Sequence, residues 1–122
     1  RPFAYLRIAC AATLTLLLVS LACGGYSGPP AIEEAREGLR PAYHILYEGE
    51  TGKTVLELLE ATAESVVTKG QGDELLVVTI NSIEGGVEGR YWLYYVNGEA
   101  GLIAASRMNT VEGDSVEWLF VR

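Results

Sequence analysis

Gly52-Lys53-Thr54 sits between a strand-like run and a helix-like run, as the end of a phosphate-binding loop would. That motif needs a glycine five residues before Gly52, and Tyr47 stands there. The same residues predict a capping box, in which Thr54 and Glu57 each satisfy a free backbone N–H at a helix start. His44 is the single histidine. Alone it builds neither a zinc site nor a triad, and Ser65, Ser82, Ser106 and Ser115 have no nucleophile elbow around them. It reads as a surface or half-buried sheet residue. Asp73-Glu74 and the Glu112/Asp114 pair lack the alternating oxygen ligands of a calcium loop and read as turn and strand-edge residues. The scattered glutamates offer no placed acid and base. The expectation is no enzyme, no metal site and no certain cofactor.

The segment Arg90–Arg122 holds both tryptophans. It reads as strand, tight turn, strand, loop, strand. Tyr91, Leu93 and Tyr95 point to one side of the first strand, and Trp92, Tyr94 and Val96 to the other. Both sides are apolar or aromatic, whereas a small sheet with one wet face should alternate with polar residues. Something therefore covers the second face: another module, a partner or a flat ligand. Two readings stand side by side. In one, all these aromatics are core. In the other, Trp92 and Tyr94 lead a binding face. If the helix packs on the Trp92 side, the candidate site moves to Tyr91, Leu93 and Tyr95.

The elements that position these residues follow from periodicity and punctuation. Ala42–Tyr47 is the first strand. Thr54 to about Val66 is the helix, with Val55, Leu58, Leu59, Thr62, Ala63 and Val66 on one stripe. Leu75–Ile83 is the second strand, opened by the loop Lys69–Asp73. Asn97-Gly98 is a hairpin turn of type I′, which needs positive φ at both central residues. Glu112-Gly113-Asp114 marks the next reversal, and Ser115–Val121 closes the domain with Glu117 opposite in face to Val116, Trp118 and Phe120. One helix on a mostly antiparallel sheet is an α+β, small β-grasp-like domain.

The other end addresses the compartment. Arg1 and Arg7 precede an uncharged run, Ile8–Ala22, too short to span a membrane and suited to a secretory signal peptide over residues 1–22. Ser20-Leu21-Ala22-Cys23-Gly24 resembles a bacterial lipobox, with Cys23 as the lipid-attachment residue. Residues 23–41 then form a lipidated tether, Gly/Pro/Ser-rich from Gly24 to Pro30, with a frayed helical turn at Ala31–Gly38. Residues 42–122 are the domain. The expected location is extracytoplasmic, anchored to the cell membrane. With Cys23 lipidated and Cys10 removed with the signal, no disulfide is left to form. The net charge of −7 becomes −9 without the two arginines of the signal. No basic patch is present, which argues against nucleic acid as a partner.

The run Tyr91–Glu99 (YWLYYVNGE), the alanine-rich stretch after it and GDSVEW, preceded by TGKTVLELLEA and LLVVTINSIEGG, resemble the transcobalamin-like C-terminal domain. This is the small second domain of cobalamin carriers, and it occurs in bacterial surface lipoproteins. The resemblance covers roughly Ala42 to Arg122 and implies contacts to a corrinoid such as cobalamin from Trp92 and from the backbone around Leu102, Ile103 and Ala104. Two functions follow. One is a ligand-binding module of a membrane-tethered lipoprotein. The other is a structural or protein-interaction module of the cell surface with no small-molecule ligand. The oligomeric state is left open.

Overall fold

The computed structural model describes residues 28–122. The expected signal peptide and Cys23 lie outside the described residues. The described residues begin with a short helix, α1 (Ile32–Arg36), followed by a 3₁₀ turn over Pro41–Tyr43. Strand β1 (His44–Glu48) leads to the main helix, α2 (Val55–Thr62). Then come β2 (Val66–Gln71), β3 (Glu74–Ile80) and β4 (Ile83–Glu84). Strands β5 (Tyr91–Val96), β6 (Glu99–Ala100) and β7 (Ser115–Val121) complete the domain. The fold is α+β, with one main helix and two antiparallel sheets.

The larger sheet has the order β1-β7-β5-β6 and the smaller β2-β3-β4. The last strand thus lies between β1 and β5, with Ile45 opposite Trp118 and Leu93 opposite Leu119. One face of the large sheet presents Trp92, Tyr94, Trp118 and Phe120 to α2 and to the small sheet. From α2, Val55, Leu56 and Leu59 are buried there; from β3, Val77 and Ile80. The capping box forms as read: Thr54 N–H donates to Glu57 Oε1 at 3.0 Å, and Glu57 N–H to Thr54 Oγ1 at 3.1 Å. The Asn97-Gly98 turn has φ of 51° and 85°, both positive as type I′ requires.

The structure differs from the sequence reading in several places. The strand read as Leu75–Ile83 is two strands, β3 and β4, because the chain reverses at Asn81-Ser82, both of positive φ. The first strand starts at His44, because Pro41 opens a 3₁₀ turn in which the His44 N–H donates to the Pro41 carbonyl. The helix ends at Thr62, short of Val66. Asn81 Oδ1 accepts from the N–H groups of Glu64 and Ser65 and so terminates the helical run from outside it. Val66 does reach the core, but from a strand. The stretch read as a loop, Lys69–Asp73, is the end of β2 and its turn, because the β-branched run Val66-Val67-Thr68 pairs with β3.

The centre of the second face of the large sheet, around Tyr95, is covered by the chain itself, while Leu46 and Tyr91 at its margins stay exposed. Ile32 and Ala35 of α1 pack on Tyr95, Leu119 and Val121. The Tyr95 hydroxyl donates to the Pro30 carbonyl at 2.8 Å. The helical turn expected at Ala31–Gly38 is therefore docked rather than frayed, and structure begins inside the stretch read as tether.

Candidate functional site

Trp92 and Tyr94 belong to the core, with 5% and 6% of their surface exposed. The Trp92 indole N–H donates to the Ile83 carbonyl at 2.9 Å, and its ring lies 5.0 Å from that of Phe120. The Tyr94 hydroxyl donates to the Ile103 carbonyl at 2.7 Å, and its ring lies 5.3 Å from Trp118. Behind them the Trp118 indole N–H donates to the Tyr47 hydroxyl, which itself donates to the Val55 carbonyl. Burial pushes the phenols of Tyr47 and Tyr94 above their ordinary range. Each polar tip of this aromatic set has a partner, as buried tyrosine and tryptophan require. Of the two open readings, core is what these two side chains are.

They nevertheless form the floor of a cleft. The free part of the β5 edge faces β3 across a seam between the two sheets. On one side of the seam a recess of about 110 Å³ is lined by Leu75, Val77, Trp92, Tyr94, Ile103 and Ala104, among others. Gly101 is essential to it, since a Cβ there would lie 2.1 Å from the Tyr94 ring. On the other side lies a larger cleft of about 420 Å³, walled by Val67, Leu76, Val78, Tyr91 and Leu93, with Lys69 and Glu84 also lining it. Leu76, Val77, Trp92 and Leu93 line both. The seam is thus one apolar depression with two lobes.

Of the residues expected to form a site, Trp92, Tyr94, Ile103 and Ala104 are brought together in the smaller lobe. Leu102 is not; it is 85% exposed and borders a separate hollow with Val96, Glu99 and Met108. Tyr91 and Leu93, the face named for the case in which the helix packs on Trp92, line the larger lobe, while Tyr95 is buried under α1. Sequence reasoning missed Val67, Leu76 and Val78. The signal was there in the β-branched run before Gly70 and in the Gly72-Asp73 turn, which together mark a hairpin.

The other chemical candidates take structural roles. His44 Nε2 lies 2.8 Å from Glu117 Oε2. Glu117, buried on the outer side of β7, also accepts from Arg36 Nε at 2.9 Å and from Arg36 Nη2. The Arg36 hydrogen bonds hold the Glu117 carboxyl below its usual range, and the His44 contact adds to this. The Asp114 carboxylate closes a turn by accepting from Val111 N–H and Asn97 Nδ2, both at 2.9 Å. Glu74 pairs with Arg107 on the surface. Among the described residues no group of three His, Cys, Asp or Glu side chains is placed to hold a metal ion. No helix among them is long and apolar enough to cross a membrane.

The fold and its seam define a small α+β module with an apolar cleft between two sheets. The chain belongs to the family described as "Domain of unknown function (DUF4430)", whose match spans residues 52–122. Neither curated proteins nor solved structures gave a match.

Proposed function

We propose that this chain is a non-catalytic binding module of an extracytoplasmic lipoprotein, tethered through lipid on Cys23, and that the β3–β5 seam takes its ligand. The observation that carries the reading is the larger lobe. Val67, Leu76 and Tyr91 leave 50%, 64% and 58% of their surface exposed around one depression. Water-exposed apolar walls with a few polar groups beside them suit a ligand with a large apolar body and polar edges. The resemblance to the transcobalamin-like C-terminal domain points to a corrinoid such as cobalamin. Apolar contact with the lobe would supply affinity, while Lys69, Glu84 and the backbone of Ile103 and Ala104 would orient amide arms. A site open on one side covers only part of so large a ligand, so binding by this module alone is weak.

Equilibrium dialysis of the full chain against cobalamin tests this. Saturable uptake below about 1 mM, an affinity of only some 4 kcal/mol, is the expected result. Leu76→Glu, at an exposed position, should abolish it without changing the circular dichroism spectrum. Absence of saturation over that range, or binding indifferent to Leu76→Glu, would overturn the corrinoid reading.

A further inference from the structure

Among the described residues, strand β1 is the outermost strand of the large sheet, and one of its two sides has no partner strand. The register settles which backbone groups lie there. The Tyr94 carbonyl accepts from Gly101 N–H on the β6 side, so Leu93 and Tyr95 turn their amides to β7. Their partners Leu119 and Glu117 face β5, which leaves Trp118 and Val116 to bond β1. In β1 these are opposite Ile45 and Tyr47, and the Gly49 N–H to Asp114 carbonyl bond keeps the same parity. His44, Leu46 and Glu48 therefore aim their N–H and C=O groups outward. The His44 N–H is taken by Pro41; among the described residues, Leu46 and Glu48 make no backbone bond to any other segment on that side.

Unpaired edges in monomeric proteins are usually blunted by lysine, proline or a bulge. The outer strand of the small sheet is blunted in this way: β2 carries Lys69, a register shift at Val67/Thr68 and Gly70 at φ +123°. Strand β1, with the sequence HILYE, has none of these devices, and its register is unbroken. Its core-facing residues also look unfinished. Ile45 and Tyr47 are only partly buried, whereas Val116, Trp118, Trp92 and Tyr94 on the same face are fully buried.

We propose that β1 pairs with β1 of a second copy of this chain, antiparallel, about a two-fold axis through Leu46. The two large sheets then continue into one another. This register is self-complementary, as an isologous interface must be. Leu46, 58% exposed, meets Leu46 of the second copy. Ile45 meets Tyr47 on the core side, and His44 meets Glu48 at both ends. Leu46 and Glu48 supply N–H donors, and His44 and Leu46 supply carbonyl acceptors, for about four intermolecular backbone hydrogen bonds. The other registers that set outward-facing residues against one another are poorer. An axis through Glu48 sets two carboxylates face to face, and one through His44 uses only half of the strand. An axis through Tyr47 sets exposed Leu46 against the Glu48 carboxylate and leaves His44 unpaired, and one through Ile45 leaves Glu48 unpaired and relies on the His44 N–H that Pro41 already holds. No residue of β1 lines the seam, so the pairing is independent of the ligand reading.

Sedimentation equilibrium of the full chain in density-matched detergent, from about 1 to 100 μM, tests the proposal. The wild-type chain should dimerise. Leu46→Lys sets two like charges opposite one another across the axis and should weaken the dimer by at least about tenfold. Val87→Lys, at an exposed position away from both β1 and the seam, should leave it unchanged. If Leu46→Lys fails to give the wild-type circular dichroism spectrum, Glu48→Lys, at another exposed position, is read in its place. A wild-type chain that stays monomeric over this range, or a dimer indifferent to the β1 substitutions, would overturn the proposal.

Discussion

Trp92 shows how one side chain serves both stability and the site. Its indole fills the space between the two sheets, and one edge of the ring forms part of the cleft floor. Leu93, the next residue, is half-buried on the opposite side, between the larger lobe and Tyr95. The two truncations should therefore separate. Trp92→Ala removes a buried ring and its bond to Ile83, and should cost about 3–5 kcal/mol. Leu93→Ala should cost about 1–2 kcal/mol, less than a fully buried leucine, because part of its surface is already wet. Urea unfolding of the two variants checks the order. Near-equal losses would mean that Trp92 is less tightly packed than its burial indicates.

At the scale of elements, α1 is too short to persist alone, since isolated helices below about 12 residues are marginal in water. Its five residues are held by tertiary contacts: Ile32 and Ala35 on the sheet, and Arg36 on Glu117. The covering of the Tyr95 face therefore rests largely on Ile32, which is 4% exposed. Ile32→Ala should destabilise the domain by about 2–3 kcal/mol, the lower part of the range for isoleucine truncation, because a short terminal helix can resettle. Hydrogen exchange should show faster exchange at Ala35 N–H, which bonds the Ala31 carbonyl, with little change in α2. Equal loosening of α2 would show that α1 is part of the same cooperative unit.

At the scale of the whole molecule, Glu117 ties three elements together, through Arg36 of α1, His44 of β1 and its own strand β7. Its carboxyl is held below the ordinary value of 4.5, chiefly by Arg36. A group with a lowered folded pKa adds stability that is complete above its unfolded value and is lost as pH falls through the folded value. The domain should therefore weaken from about pH 5 downward, and Glu117→Gln should flatten that part of the profile. Thermal melting between about pH 3 and pH 7 checks this. Capping Glu57 and turn-closing Asp114, whose carboxyls are also lowered by hydrogen bonds, contribute to the same acid limb, so Glu117→Gln flattens it in part. A profile unchanged by Glu117→Gln would remove Glu117 from the acid response.

Local chemistry was legible in the residues. The Thr54–Glu57 box, the Asn97-Gly98 turn and the α+β class follow from interactions within a few positions of the chain, and those survive any tertiary arrangement. So did the inference that both faces of β5 must be covered, because burial of aromatics is a local demand. What covers each face was not legible. That β7 runs between β1 and β5, that Asn81 stops α2 from 17 residues away and that α1 rather than a ligand caps Tyr95 are outcomes of long-range packing. The seam between β3 and β5 exists only because the small sheet packs beside the free part of β5. Periodicity reports which side of a strand is apolar; only the assembled core decides which apolar side is left facing water.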